Sequence, residues 1–274
     1  GIKNIVDYKF TENKTLVVSF DPLKPAVRLI GNGVIVPRSE GLLFPFEAVN
    51  LKAVDVKIIR IYENNVAQFL QVNTLDGNYE MKRAGRLIVR KTIQLTSERP
   101  INYGDWNAFS LDLSSLIDAE PGAIYRVELS FRQKHSLYEC PEGKDNEQDQ
   151  EEDYNGITEN DMAYYDSYYY YGWDEYDEDY YYNWQEREDP CSRSYYIYGK
   201  TVARNVLASN LGIIAKFGSD RSMLFAVTDL LTTEPVQDVS LTVYNFQQQI
   251  LASLVTDKNG MASALIENQP FLLI

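Results

Sequence analysis

Residues 121–132, PGAIYRVELSFR, decide the fold class of this chain. The Pro-Gly pair indicates a turn, and the residues after it alternate between apolar and polar side chains. The apolar ones are Ala123, Tyr125, Val127, Leu129 and Phe131. A period of two residues is typical of a β-strand with one buried face and one solvated face. This stretch therefore predicts a strand that packs on a hydrophobic core.

Similar short apolar runs, separated by turn residues, recur on both sides of this stretch. Before residue 134 they are Ala26–Ile30, Gly33–Val36, Leu42–Val49, Ala53–Tyr62, Leu87–Leu95 and Asn107–Leu113. After residue 198 they are Thr201–Leu207, Leu211–Lys216, Met223–Asp229, Val239–Phe246, Ile250–Thr256, Met261–Ile266 and Phe271–Ile274. Short strands at such spacing predict antiparallel β-sandwiches. We expect Thr201–Leu207 to rejoin the first sheet, and residues 257–260 to form a hairpin turn.

Three local features refine this reading of the first series. Val54, Val56 and Ile58 share one phase, but Ile59 and Ile61 occupy the other, which predicts a β-bulge at Ile58–Ile59 or burial of both faces. Asn64 and Asn65 precede apolar residues at helical spacing, so they predict the cap of a short helix. A helical turn is expected at Ser114–Ile117.

The charge of the chain is concentrated in one segment. The 274 residues carry 26 Lys and Arg against 40 Asp and Glu. Nineteen of the acids but only two of the bases lie between Glu139 and Asp189, so this segment has a net charge of −17 and the remainder +3. It is rich in tyrosine and nearly free of aliphatic residues. Such a composition predicts an irregular surface excursion, partly ordered against its own domain, that does not supply the core.

The residue inventory excludes several function classes. The chain has one histidine, His135, and its two cysteines form no CxxC pair. The motifs GxGxxG, GxxxxGK[ST], HExxH and GxSxG are absent. The acidic balance disfavours nucleic acid as a partner, and no apolar run is long enough to insert into a membrane. We therefore predict no catalytic, cofactor-binding or metal-binding residue, and no cofactor.

Several segments resemble the bacterial alpha-2-macroglobulin family. The likeness is carried by LLFPFEAVNLKAVDV at residues 42–56, by IYENNVAQFLQ at 61–71 and by PGAIYRV at 121–127. The segment NVLASNLG at 205–212 is similar to the family's junction into the next macroglobulin-like domain, and VTDL at 227–230 and TDKNG at 256–260 to that domain's strand and hairpin. The likeness covers most of the chain except the acidic segment.

The resemblance implies a periplasmic or envelope-associated protein that traps proteases. It implies as partners the neighbouring domains of the same chain and the target proteases of the full-length protein, with lipid anchoring through an N-terminus outside this sequence as one option. The family's thioester needs Cys-x-x-Gln, and neither Cys140 nor Cys191 has it. We therefore interpret the chain as structural scaffold from the N-terminal half of such an inhibitor, without chemistry of its own.

The strand pattern and the resemblance together set the domain expectations. Residues 1–22 are expected to end an upstream β domain. Residues 23–207 are expected to form a first macroglobulin-like, immunoglobulin-like sandwich with an acidic, tyrosine-rich insert at 134–198. Residues 208–274 are expected to form a second such sandwich, incomplete at its C-terminal end.

Two groups of residues are candidate sites. Cys140 and Cys191 flank the acidic segment, and in an oxidising periplasm we expect them to form a disulfide rather than to remain free thiols. The aromatic residues of the segment are candidate partner-binding residues, against the alternative that they only pack the segment onto its scaffold. They are Tyr168, Tyr169, Tyr170, Tyr171, Trp173, Tyr180, Tyr181 and Trp184. His135 is expected to be an ordinary surface residue.

Other functions stay open at this point. A surface binding module, adhesin or glycan-binding, would use the acidic aromatic insert as its recognition loop. A glycosidase needs only two carboxylates, but no pair can be placed at a defined separation. Calcium binding by the acids of residues 174–179 is the weaker reading, because they lack the spacing of a calcium loop.

Overall fold

The computed structural model describes residues 3, 5–9, 15, 22–36, 42–97, 100–120, 122–141, 154–166 and 182–274. The apolar run at residues 16–20, within the segment expected to end an upstream β domain, lies outside this described part. Ahead of it, an isolated antiparallel bridge joins Lys3 to Lys9.

The described residues form strands and a few short helices. The first eight strands are β1 (Ala26–Leu29), β2 (Ile35–Val36), β3 (Leu43–Val49), β4 (Ala53–Ile61), β5 (Gly85–Gln94), β6 (Asn107–Asp112), β7 (Ile124–Ser130) and β8 (Val202–Ala208). The others are β9 (Leu211–Phe217), β10 (Ser222–Asp229), β11 (Ser240–Tyr244), β12 (Ile250–Val255), β13 (Met261–Leu265) and β14 (Leu272–Leu273). The helices are α1 (Glu63–Leu70), α2 (Met81–Ala84), α3 (Glu159–Asp166) and α4 (Ser194–Ile197). The prediction of an all-β fold is confirmed.

The first eight strands form two facing sheets. One has the strand order β2-β8-β7-β4-β5, and the other has the order β1-β3-β6. Phe44 and Phe46 of β3 join Val56 of β4 and Val127 of β7 in one buried cluster, so the core lies between the sheets. Alternate residues of β3, β4 and β7 point into it, as their period of two requires. The sheet is not wholly antiparallel as expected, because β2 pairs parallel to β8.

At Ile58–Ile59 the structure shows the second predicted alternative, burial of both faces of β4, and the irregularity in pairing lies in β5. The register between β4 and β5 shifts between Ile58 and Ile59. Beyond the shift, Ile61 packs with Phe69 of α1, Ala84 of α2 and Ile124 of β7 in a separate buried cluster. Because β4 pairs with β7 without interruption, the extra residue is Ile88 of β5, and Ile61 lies by regular alternation on the outer face of the five-stranded sheet, against the helices.

The expected helix cap is wrong. Helix α1 begins at Glu63, and its N-cap position is Tyr62, which makes no capping hydrogen bond through its side chain. Asn65 instead uses its side-chain amide to donate to the carbonyl oxygen of Ala84, at 3.1 Å. Its role is therefore to fix α1 to α2 rather than to satisfy the start of α1. Among the described residues, no helix is long and apolar enough to cross a membrane.

The last six strands surround a second core. The sheets β13-β10-β9 and β12-β11-β14 face each other across Met223, Phe225, Val227, Leu241, Val243 and Ile266. Asp257 organises the tight turn between β12 and β13, since its carboxylate accepts from the backbone N–H groups of Asn259 and Met261. Gly260 in this turn has φ +69°, and an added Cβ would lie 2.4 Å from the carbonyl oxygen of Val227. This turn therefore requires glycine.

The insert is more closely built into the first sandwich than its composition predicts. Its first arm, described over residues 134–141 and 154–166, contains α3. Its return arm, described over residues 182–198, contains α4. Tyr195 of α4 is 3% exposed and belongs to the main core cluster of the first sandwich. Its hydroxyl donates to the carbonyl oxygen of Pro25 at 2.8 Å. The return arm therefore contributes Tyr195 to the core, at a position beyond the acidic segment 139–189 that was expected to supply none.

Candidate functional site

The two arms of the insert are joined covalently at their base. Cys140 and Cys191 form a disulfide with 5.6 Å between their Cα atoms. Next to it, the backbone N–H of Cys191 donates to the Asp189 carboxylate at 3.0 Å. The ring of Tyr196 meets Phe131 edge-on, with 5.9 Å between centroids. The chain after β7 and the return arm are thus held together by the disulfide and by the contact between Phe131 and Tyr196, and Asp189 fixes the turn before Cys191.

A buried carboxylate lies where the first arm meets the five-stranded sheet. Asp55 of β4 has a side chain with no exposed surface. Arg132 binds it with two nitrogens, Nε to Oδ2 at 2.7 Å and Nη2 to Oδ1 at 3.2 Å. The Thr92 hydroxyl donates to Oδ1 at 2.6 Å. A buried charge is tolerated when it is paired and hydrogen-bonded in this way.

Tyr154 of the first arm closes over this carboxylate. Its ring lies between two guanidinium groups, with its centroid 4.5 Å from Arg90 and 4.8 Å from Arg132. Burial raises the pKa of Tyr154, and the nearby Asp55 charge adds to the effect. The tyrosine therefore stays neutral and supplies a ring face to two cations, a favourable arrangement when it is desolvated.

Asp161 of α3 provides the second contact. Its Oδ2 accepts from Arg90 at 2.8 Å, and the two side chains are 9% and 4% exposed. Thr158 and Asp161 also bond reciprocally at the start of α3. Burial alone would raise the pKa of Asp161, but the hydrogen bonds from Thr158 and Arg90 and the Arg90 charge bring it below its usual value. Asp161 is therefore a charged anchor for the insert.

The prediction that His135 lies on the surface is wrong. His135 is 3% exposed, because the chain after β7 continues along the loop before β4. The His135 carbonyl accepts from Lys52 N at 2.9 Å, and the His135 Nδ1 accepts from Arg132 N at 3.3 Å. The pKa of His135 is lowered to about 4, mainly by burial. The Asp55 charge opposes this shift, and the Arg132 charge adds to it. The imidazole is thus a neutral acceptor within the fold.

This arrangement suits attachment rather than proton transfer. The carboxylate of Asp55 is inaccessible and pinned by Arg132, and the His135 Nδ1 already has a donor. A general acid or base must reach the proton that it transfers. Sequence reasoning missed this cluster because its members are spread from position 55 to position 161 and match no motif. The one available signal was a charged Asp inside an apolar strand.

The aromatic candidates fall mostly outside the described residues. Tyr168, Tyr169, Tyr170, Tyr171, Trp173, Tyr180 and Tyr181 lie there, as do the acids of residues 174–179. Trp184 is described, and it is 65% exposed. Its ring centroid lies 6.4 Å from that of Tyr182, and Arg187 stacks on it at 3.9 Å. Within the described ranges, no group of three or more His, Cys, Asp or Glu side chains is arranged to hold a metal ion.

The C-terminal sandwich is the part of the chain that matches a known protein-family model. Residues 208–270 match the family model of the bacterial alpha-2-macroglobulin MG3 domain. This segment is therefore similar to one domain of the bacterial alpha-2-macroglobulin family. The resemblance predicted from the sequence is thereby confirmed. The match covers β9 to β13 and the second core. No curated protein matches the chain.

Solved structures of alpha-2-macroglobulins are similar to the chain to different degrees. Native alpha-2-macroglobulin from Escherichia coli, spanning domains MG0-NIE-MG1, superposes with a TM-score of 0.51 at 13% identity, over 99% of this chain and 67% of that one. A structure spanning NIE-MG1 gives 0.49 at 13% identity, over 90% and 88%. Salmonella alpha-2-macroglobulin reacted with methylamine gives 0.46 at 14% identity, over 92% and 11%. The first of these shows that the chain shares the β-domain fold of an alpha-2-macroglobulin.

Proposed function

We propose that this chain is a structural scaffold segment of a periplasmic, broad-spectrum protease inhibitor of the alpha-2-macroglobulin type. The observation that carries the proposal is the match of residues 208–270 to the MG3 domain of that family. In this role the chain has no reaction of its own. It connects neighbouring domains of the same polypeptide, and the full-length protein encloses the target protease.

The geometry of the first sandwich supports a scaffold role. Its polar cluster is buried and internally paired, with Asp55, Arg132 and Thr92 bonded to one another. The disulfide between Cys140 and Cys191 fixes the insert without exposing a thiol. Such features hold a domain in one shape, which is what a trap requires of the parts that do not react.

The test uses the full-length gene product that contains these residues. A trapped protease should lose activity towards a large protein substrate but keep activity towards a small peptide, because only the small one can diffuse into an enclosure. The matched control replaces Phe225, which is fully buried in the second core, by Ala to unfold that sandwich. The proposal fails if the intact protein leaves cleavage of both substrates unchanged, or if the Phe225→Ala protein protects equally well.

Localisation forms part of the same proposal and has its own test. An exported protein should be released from cells with the periplasmic fraction and should contain oxidised Cys140 and Cys191. Recovery in the cytosolic fraction with both thiols free would contradict the proposed compartment.

A second candidate function rests on Trp184. An aromatic ring that is 65% exposed beside Tyr182 offers a face on which a sugar ring or a partner protein can pack. The candidate is therefore a cell-surface binding module, adhesin or glycan-binding. Binding to soluble polysaccharides that is lost in Trp184→Ala, but kept in a variant of the exposed Tyr79, would favour it over the scaffold role.

A further inference from the structure

We use the name β5 groove for the outer edge of β5 together with the side chains beside it that contact the first arm of the insert. It consists of Lys82, Arg86, Arg90, Thr92 and Arg132. Strand β5 is the last strand of its sheet, so half of its backbone groups point away from β4. The edge strand of a sheet can accept an added extended segment through such backbone groups.

The first arm of the insert occupies the edge of this groove as an added segment would. The backbone N–H of Gly156 donates to the carbonyl oxygen of Arg90 at 2.9 Å. The backbone N–H of Thr92 donates to Oδ1 of Asn155 at 3.1 Å. Two backbone groups on the outer edge of β5 are therefore satisfied by residues that are more than sixty positions away in sequence.

The side chains of the arm complement the charge of the groove. Asp161 pairs with Arg90 in a buried contact, and Asp166 pairs with Arg86 at 3.0 Å. Tyr164 lies under the ammonium group of Lys82, with 5.2 Å from Nζ to the ring centroid. Tyr154 fills the space between the two arginines at the other end. Acids and tyrosines of residues 154–166 thus meet bases of the scaffold along the whole groove.

The attachment is polar along α3. The Asp161 side chain is buried against Arg90, but every whole residue of that helix keeps some exposed surface, and its contacts include ion pairs, a cation–π contact and hydrogen bonds. The disulfide, in contrast, ties the insert to the domain outside the groove. The arm can therefore leave the groove without being lost from the protein and without opening the core between the sheets.

We propose that the β5 groove is a binding site for an acidic, tyrosine-containing peptide segment. Residues 154–166 fill the site in cis, as a removable strap. A partner that presents an extended stretch with a tyrosine, followed seven residues later by an Asp at the first turn of a helix, competes for the same contacts. The inference is independent of the protease-trapping proposal, because it rests on contacts within the first sandwich.

The direct test measures binding of a capped synthetic peptide of residues 154–166 in trans. The receptor is the chain in which a short Gly/Ser linker replaces residues 142–189, so that the cysteines still pair. We expect micromolar binding by fluorescence anisotropy, and no binding of a scrambled peptide of equal composition. The intact chain should bind at least about 10-fold more weakly, since a tethered strap acts at an effective concentration near millimolar. Arg90→Gln in the receptor should remove the binding.

A second measurement does not require the linker variant to fold. In the full chain, Asp161→Asn removes the charge that pairs with Arg90, and Glu159→Gln is the matched control on the same helix. We expect hydrogen exchange at the Gly156 amide to rise at least about 10-fold in Asp161→Asn only, with exchange at Val127 in β7 unchanged. Asp161→Asn should also strengthen binding of the peptide in trans.

Two results would overturn the proposal. The first is a folded linker variant that binds the peptide no better than the scrambled sequence, or an intact chain that binds it equally well. The second is an unchanged exchange rate at Gly156 in Asp161→Asn, which would show that the arm is held by something other than the groove.

Discussion

Removing the imidazole of His135 is expected to change how stability depends on pH. The pKa of the buried imidazole is lowered to about 4, against 6.5 for the unfolded chain. Between these values the unfolded state binds a proton that the folded state does not. The contribution of His135 to the free energy of unfolding is therefore fully present above pH 6.5, and it is lost as the pH falls towards 4.

The expected size of this effect follows from the two pKa values. One pKa unit corresponds to about 1.4 kcal/mol, so the difference amounts to about 3 kcal/mol between pH 7 and pH 4. The variant His135→Asn keeps an acceptor for the backbone N–H of Arg132 but cannot take up a proton in this range. It should be less stable than the parent at pH 7 because of its smaller side chain, and the gap should shrink as the pH is lowered.

Urea unfolding of both proteins at pH 7.5, 6.5, 5.5 and 4.5 measures this gap. Because both proteins share every carboxylate, the titration of those groups cancels in the difference. The imidazole is also the only one in the chain, so its NMR resonance can be followed without assignment of others. A gap that stays constant with pH, or an imidazole that titrates near 6.5 in the folded protein, would refute the reasoning.

Three further outcomes are expected. Replacing Cys140 and Cys191 by Ser should lower the free energy of unfolding by about 4 kcal/mol in the chain-entropy description of a loop of this length; intact mass after alkylation without reduction checks that the parent has no free thiol. The chain with a Gly/Ser linker in place of residues 142–189 should still melt cooperatively, with a lower midpoint because the Tyr154 and Asp161 contacts are gone; loss of the transition would place those residues in the core. The isolated chain should not hydrolyse peptide, ester or glycoside substrates, and turnover that one carboxylate mutation abolishes would contradict the scaffold function.

The sequence predicts the strands well because their pattern is local. The alternation from Ala123 to Phe131 and the two apolar phases at Ile58–Ile59 both follow from which faces of a strand are buried, and the structure has both. The parallel pairing of β2 with β8 was missed, since it joins residues about 170 positions apart and only two residues take part. Residue patterns carry no information on such a partner.

The attachment of the insert was missed for a different reason. Composition alone predicts the same solvated environment for all nineteen acids. The Asp161 side chain is instead buried, because Arg90 of a strand far away in sequence lies opposite to it. Tyr195 and Tyr154 likewise become buried through partners that no local pattern identifies. The position of His135 after a strand predicts an exposed residue, but the chain that follows it pairs with the loop at Leu51, and His135 is buried. Tertiary contacts decide each of these cases.

The disulfide has a mechanical consequence. Cys140 and Cys191 are 51 positions apart in sequence, and their Cα atoms are separated by only 5.6 Å. A tensile force along the backbone passes through the sulfur atoms, and residues 141–190 of the insert carry none of it. Fully extended, the bypassed residues would span about 170 Å. A pull on the two ends of the oxidised chain would thus unfold the sandwiches without lengthening the insert, and single-molecule extension would increase by that amount only after reduction.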